Sequence, residues 1–387
     1  MLDLIATATF GLESVVGYEI KKLGYEDVVV ENARVLFQGD GLALCRANLW
    51  LRSADRVLLE MGSFTATTFE ELFQQTKALP WSDWLPKNAC FPVQGKSVKS
   101  QLHSVPDCQA IVKKAIVEQM KQAYGTQWFP EDGPRYGVEV ALLKNEVTLT
   151  MDTSGVGLHK RGYRKLTGPA PLKETLAAGI LSLARWYPDR VLWDPCCGTG
   201  TIPIEAALLG HNIAPGLGRT FAAEQWPNVD QSLWQQARQE AEDLLDRQSK
   251  LRIYGTDMDE KVLSMARYHA RMAGVEKSIH FQQLPLSEVR TRYQYGFLIA
   301  NPPYGQRVGE QREVEALYRQ MGQLYKRLDK WSCGVITSQE RFENRFGQKA
   351  DKNRKLYNGR TECRLYLYQG PRPPRKQAAW EKNSEKD

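Results

Sequence analysis

What this chain lacks excludes several classes of protein. None of its seven cysteines (Cys45, Cys90, Cys108, Cys196, Cys197, Cys333, Cys363) stands at C-x-x-C spacing, and the odd count makes no disulfide framework. Reduced thiols in a cytoplasmic protein are expected. Five scattered histidines offer no metal-ligand spacing, so no metal is expected. No uncharged apolar run approaches the roughly 20 residues of a membrane span. The apolar start carries Asp3 and has no basic leader. Internal repeats are absent, and so is low-complexity sequence before residue 371, after which a flexible basic tail (371–387) is expected.

What remains is ordinary globular composition with one bias. The 387 residues suffice for two or three domains with their own cores, at 42% hydrophobic and 25% charged. The net charge of +7 suits a polyanionic partner.

The most informative stretch is Asn301-Pro302-Pro303-Tyr304, which follows the apolar run Gly296–Ala300. It reads as a strand ending in a stiff loop. Two prolines fix φ and remove two N–H donors, so the carbonyls there can only accept. Asn301 Oδ1 and the Pro302 carbonyl can together hold both hydrogens of an exocyclic amine, and Tyr304 offers a flat face on which its ring can stack. Alone, the tetrapeptide could equally be a proline-rich turn.

About a hundred residues upstream, Val191-Leu192-Trp193 leads into Asp194-Pro195-Cys196-Cys197-Gly198-Thr199-Gly200-Thr201 and then a helical pattern. A strand, an acid, a glycine turn and a helix N-terminus make a ligand-binding corner. No third glycine completes a dinucleotide fingerprint, and Asp194 would welcome an amine rather than a pyrophosphate. A second strand, Leu251–Gly255, ends in Thr256-Asp257-Met258, where an acid can grip ribose hydroxyls. These strand ends would share one edge of a doubly wound, mostly parallel α/β sheet. The gap of 59 positions from Gly198 to Asp257 exceeds the roughly 20 of a simple unit. An insert of about residues 211–250 must pack elsewhere, and a place over the pocket is expected. Cys196-Cys197 belongs to the glycine turn, so packing is the better account than nucleophilic attack.

These motifs resemble those of class I S-adenosylmethionine-dependent methyltransferases that modify exocyclic amines. The D-P-x-C-G-T-G-T form with N-P-P-Y-G is similar to the THUMP-domain RNA guanine-N2 methyltransferases, in particular the amino-terminal half of the bacterial 23S rRNA enzyme group typified by RlmL and its free-standing relatives. Asp152–Gly155, Leu158–Arg164, Ala170–Ala178, Ala214–Phe221 and Lys352–Gly359 also fit, and the likeness covers roughly residues 1 to 370. It implies a ferredoxin-like unit (1–55), a THUMP RNA-binding domain (56–165) and a Rossmann-like methyltransferase domain (166–370). It further implies S-adenosylmethionine as donor, held by Asp194, Pro195, Gly198, Thr199, Gly200, Asp257, Met258 and Asn301. Chemistry would fall to Asn301, Pro302, Pro303 and Tyr304, acting on guanosine N2 by direct in-line transfer. The partner would be 23S rRNA or a pre-ribosomal particle. One departure is the absence, near Pro285, of the family's usual Asp for the adenine amine; Ser287, Glu288 or backbone would substitute.

Periodicity along the first half gives a strand over 2–10, a helix over 12–23 and a hairpin around Glu31-Asn32-Ala33. It then gives helices over 69–78 and 108–123, a strand over 89–93 and a hairpin around Lys144-Asn145. Three basic segments are candidate RNA contacts. Lys96 and Lys99 lie in a Gly/Ser/Lys turn that could hold phosphate or be a solvated loop. Lys160, Arg161 and Arg164 lie in a segment with four cations in seven residues, which reads as backbone contact or as a charged linker. Lys352, Arg354 and Lys355 belong to a third cluster, 341–360, interleaved with Phe342, Phe346 and Tyr357. There, stacking on bases competes with a core role for the phenylalanines. Rival targets of the same loop are adenine N6 in DNA, a glutamine amide and tRNA guanosine. A non-catalytic RNA-binding assembly factor is the rival of a different class. Oligomeric state is not legible.

Overall fold

The computed structural model describes residues 1–166, 172–305 and 311–374. The expected tail from residue 375 on, and Ala170-Pro171 of the Ala170–Ala178 segment, lie outside them.

The first half builds one sheet. Strand β1 (Leu2–Ala8) is followed by α1 (Glu13–Lys22) and the hairpin β2 (Val28–Glu31) and β3 (Arg34–Gly39). Helix α2 (Gly41–Trp50), capped by the Asp40 carboxylate on Ala43 N–H at 2.9 Å, leads to the long strand β4 (Ala54–Thr65). Then come α3 (Phe69–Lys77), β5 (Val93–Val98), α4 (Val105–Tyr124) and the hairpin β6 (Gly137–Leu143) and β7 (Glu146–Asp152). Lys144 and Asn145 turn that hairpin with φ of 53° and 69°, the pair of positive values a tight two-residue turn requires.

Strand order is β2-β3-β1-β4-β7-β6-β5. The sheet therefore runs unbroken across residue 55, because β4 pairs with β1 on one side and β7 on the other. Helix α2 has no polar face for a period to show: Ala43, Leu44, Ala47 and Leu49 are all buried. The strand expected at 89–93 is displaced. Cys90 makes only an isolated bridge to Arg135, and β5 runs parallel to β6 from Val93 onward.

The second half is a doubly wound α/β domain. In order it contains α5 (Glu174–Ala184), β8 (Leu192–Asp194), α6 (Thr201–Gly210), α7 (Gln231–Asp243), β9 (Ile253–Asp257) and α8 (Glu260–Met272). There follow β10 (Ile279–Gln283), β11 (Phe297–Ala300), α9 (Gln311–Arg327), β12 (Ser332–Thr337), α10 (Phe342–Phe346), β13 (Lys352–Asn358) and β14 (Thr361–Tyr368).

Order in this sheet is β10-β9-β8-β11-β12-β14-β13, with β14 running antiparallel to both its neighbours, β12 and β13. One face buries α5, α6 and α8 through Leu176, Ile204 and Ala266; the other buries α9 and α10 through Met321, Tyr318 and Phe342. Chain direction along the sheet reverses between β8 and β11, and at such a switch point the strand ends leave a crevice for a ligand.

The insert does not cover that crevice. Phe221, Ala223, Trp226, Val229 and Trp234 join the core of the first sheet, and Arg46 of α2 holds Glu240 of α7 through two bonds of 2.7 Å. Apolar area decides the matter: the indoles of Trp226 and Trp234 are buried against the first sheet rather than exposed at a pocket mouth. The insert is thus a clamp between the halves.

Candidate active site

Four strand ends meet at the switch point. Asp194 closes β8, Asp257 closes β9, Gln283 closes β10, and Asn301 follows β11. The turn after Asp194 is tied to its neighbour strand: Cys197 N–H donates to the Thr256 carbonyl at 3.0 Å and Gly198 N–H to Asp257 Oδ2 at 2.9 Å. Gly198 (φ +50°) has nothing within 4 Å of where a Cβ would stand, so its backbone faces open space. Gly200 begins α6 at φ +86°, where a side chain would be strained, and a Cβ would press on Ala266 at 3.0 Å. Thr199 is held from below, its carbonyl 3.2 Å from Nδ1 of the buried His269.

Asp194 is 2% exposed, with one neighbour-provided bond, from Cys196 N–H at 3.1 Å. Burial pushes its carboxyl well above the usual range, and Asp257 adds to the push. An acid in that state is waiting for a cation. Both oxygens of Asp257 accept backbone N–H groups, from Gly198 and Asp259, which fixes the carboxylate at the strand tip. Beside it Met258 is 71% exposed. Gln283 donates its side-chain amide to the Met258 carbonyl at 2.9 Å, while Ser287 and Glu288 stand exposed on the following turn. An acid for an ammonium, an acid for hydroxyls, an open glycine backbone and a bare thioether surface fit S-adenosylmethionine. The Cys196 and Cys197 thiols are driven well up by burial and by both acids, so they stay protonated and unreactive. Cys197 packs under the turn, where a Cβ on Gly255 would meet its sulfur at 3.1 Å.

The Asn301–Tyr304 loop is braced on three sides. Tyr318 of α9 donates its hydroxyl to the Pro303 carbonyl at 3.1 Å and is 2.8 Å from Thr337 Oγ1. Gln339 donates to the Tyr304 carbonyl. The Tyr304 hydroxyl donates to Asn301 Oδ1 at 2.6 Å, with Asn358 and Cys363 of the β13–β14 hairpin beside it. Burial raises the Tyr304 phenol far above its normal value. Pro302, by contrast, has a carbonyl that no donor among the described residues reaches. Asn301 Oδ1 keeps one lone pair after Tyr304. Two acceptors therefore remain side by side. The Tyr304 ring is partly buried against the apolar core, and its hydroxyl aims Asn301. Tyr318, Gln339, Asn358 and Cys363 left no signal in the sequence, because each reaches the loop from a distant segment.

The basic candidates divide. Arg161 is buried, ion-paired with Glu205 at 3.4 Å and bonded to the carbonyls of Leu158 and Arg52. Arg164 is tied to Thr201 Oγ1 at 2.6 Å, the Leu172 carbonyl at 2.9 Å and Glu174 at 3.4 Å. Neither presents to RNA; buried carboxylates on α5 and α6 draw both inward. Lys160 is exposed. Lys96 lies within β5 rather than in a turn and pairs with Glu139 at 2.7 Å, and Lys99 (φ 53°) is exposed just past the strand. Lys352, Arg354 and Lys355 lie on β13, an edge strand, with Lys355 paired to Glu362 at 2.7 Å. Phe342 and Phe346 are core residues, not a base-stacking surface.

A doubly wound sheet with this strand-end set defines a class I S-adenosylmethionine-dependent methyltransferase. The chain belongs to the RMKL-like methyltransferase domain family, whose model matches residues 161–366, and it also carries an RlmL ferredoxin-like domain (3–58) and a THUMP domain (66–152). It is 50% identical over 96% of its length to YpsC of Bacillus subtilis, provisionally named an RNA methyltransferase, covering 97% of that protein. It is 32% identical over 95% of its length to the ribosomal RNA large subunit methyltransferase K/L of Shewanella frigidimarina, of which it spans 53%. Among solved structures, SMU.472, provisionally described as a methyltransferase and complexed with S-adenosylhomocysteine, is 45% identical with TM-score 0.91 over 96% of this chain and 99% of that one. A Listeria monocytogenes protein described as a predicted N6-adenine-specific DNA methylase is 53% identical with TM-score 0.92 over 96% of both chains.

Proposed function

We propose that the protein transfers a methyl group from S-adenosylmethionine to the exocyclic N2 amine of a guanosine in RNA, within 23S rRNA or a pre-ribosomal particle. The observation that carries this reading is a braced loop on β11, the strand beside β8 and its Asp194, where Asn301 Oδ1 keeps a lone pair beyond its bond from Tyr304 and the Pro302 carbonyl meets no donor among the described residues. The THUMP half supports an RNA substrate, as do the names of YpsC and the K/L relatives.

The donor, when bound, supplies an electrophilic methyl on a sulfonium. Asp194 would orient its ammonium and Asp257 its ribose hydroxyls. The amine's lone pair is delocalised into the guanine ring, so the amine is a poor nucleophile. Bonds from its two hydrogens to Asn301 and Pro302 favour a pyramidal nitrogen as transfer proceeds. Bracing of the loop means that geometry is set before the base arrives. The alkylated nitrogen is a strong acid and loses its proton toward these acceptors and water, so no titratable base is needed. The target base must leave any helix to reach the loop.

The test is incubation with labelled S-adenosylmethionine and, separately, unmodified 23S rRNA, tRNA and duplex DNA, followed by nucleoside identification by mass. N2-methylguanosine in 23S rRNA is expected. The same nucleoside in tRNA moves the target, and N6-methyladenosine in DNA refutes the reading. Asn301→Ala should lower turnover about 100- to 1,000-fold, as loss of a transition-state hydrogen-bonding group does elsewhere, with donor affinity within about threefold.

A further inference from the structure

Phe10 is an exposed phenylalanine, 46% accessible, in the turn between β1 and α1. It meets Tyr357 of β13 edge to face, ring centroids 6.0 Å apart and planes at 82°. The two rings come from opposite halves of the molecule, and their meeting is enforced by the backbone. Gly11 (φ +93°) lies so close to β13 that a Cβ would stand 2.3 Å from the Lys355 carbonyl. Arg354 adds a bond to Ser14 at 3.0 Å. Exposure of one ring is ordinary by itself; what sets Phe10 apart is that a second aromatic ring and a run of cations stand beside it.

Position and charge say what the pair would bind. Tyr357 precedes Asn358, which stands beside the Tyr304 hydroxyl that aims Asn301. The aromatic corner thus lies at the same end of β13 as the bracing of the catalytic loop, on the strand's opposite face. Between Lys352 and Arg364 the hairpin carries five cations (Lys352, Arg354, Lys355, Arg360, Arg364) against the single acid Glu362. Lys355 lies 5.5 Å over the Tyr357 ring while pairing with Glu362, and Arg360 is exposed at the hairpin tip. Rings interleaved with cations beside a base-accepting loop are what a single-stranded nucleic acid binds.

We propose that Phe10 and Tyr357 form a stacking platform for a nucleotide flanking the target guanosine, with Lys355 and Arg360 on the adjoining phosphates. The RNA-binding half then contributes a ring to the mouth of the active site, rather than only anchoring RNA at a distance. This rests on the RNA reading above, and the test separates the two. Binding of a fluorescein-labelled single-stranded RNA 12-mer is measured by anisotropy without donor, and methyl transfer to 23S rRNA is measured independently.

Phe10→Leu keeps apolar bulk and removes the π face. It is expected to weaken 12-mer binding roughly 5- to 150-fold, the range for one stacked base. Phe10→Trp should restore it, and Tyr357→Phe should bind as wild type. The donor-induced thermal shift should stay unchanged in all three variants, and the salt dependence of Phe10→Leu should match wild type, since no charge is lost. Phe10→Leu binding the 12-mer as tightly as wild type overturns the platform, leaving the ring to a protein partner. Weakened binding with Trp rescue sustains it even if no guanosine is methylated, in which case only the transfer reading falls.

Discussion

Asp194→Asn should stabilise the donor-free protein while crippling donor binding, and the two effects have one cause. The carboxyl is buried with a single backbone donor, and burial raises its pKa. A raised carboxyl pKa means that the folded chain holds a proton the unfolded chain releases between the two values. This group's contribution is therefore most favourable below the unfolded pKa of about 3.9, is lost as pH rises toward the folded value, and stays lost above it. Each unit of that rise costs the donor-free fold about 1.4 kcal/mol at neutral pH. Asparagine retains an acceptor for Cys196 N–H without the charge. Relief of that cost should raise the donor-free Tm, by about 2–4 °C per kcal/mol for a domain of this size. On the binding side, losing a charge-assisted bond to the ammonium is worth about 1.5–3 kcal/mol, or roughly 10- to 150-fold in Kd. The assay is thermal melting with and without S-adenosylmethionine, together with calorimetry in buffers of differing ionisation enthalpy. Proton release on binding should grow as pH falls in wild type and be absent in the variant. A variant that melts lower and binds the donor normally would refute the reasoning.

Arg161→Ala should cost about 1–3 kcal/mol of stability, because Glu205 keeps the Tyr163 hydroxyl at 3.0 Å and the nearby Arg52 guanidinium, with the salt slope of RNA binding unchanged; a lowered slope with an unchanged Tm would return Arg161 to the RNA face. His159 is pushed down to about 4, by burial first and then by Lys173. Its folded pKa lies below the unfolded value, so it destabilises as pH falls from about 6.5 toward 4; His159→Gln should flatten the Tm profile across that window. Tyr304→Phe should lower turnover while sparing donor affinity, because it removes the hydroxyl that aims Asn301 Oδ1; single-turnover kinetics read this directly.

Local signals were strong wherever one short segment does the work. Asp194 through Gly200 and Asn301 through Pro303 were legible because strand, acid, glycine turn and proline pair each act through their own backbone. The Lys144-Asn145 hairpin was legible for the same reason. The family assignment followed from those motifs, and it holds. Helix α2 and the length of β4 were not legible, since a helix buried all round and a strand with two different neighbours carry no clean period.

Charge was the poorest guide. A run such as 159–165 reports how many cations it has, not what faces them, and Glu205 and Glu174, which bind Arg161 and Arg164, lie up to 44 positions away. The sheet class and the conformations of the Asp194–Gly200 turn and the Asn301–Pro303 loop could be read from adjacent positions, because they depend on backbone conformation and side-chain identity there. Long-range packing set the rest: that the insert clamps the two halves, that the Tyr304 hydroxyl reaches Asn301, and that Phe10 meets Tyr357. Each of those depends on which distant surfaces can bury apolar area together, a property of the whole packed chain.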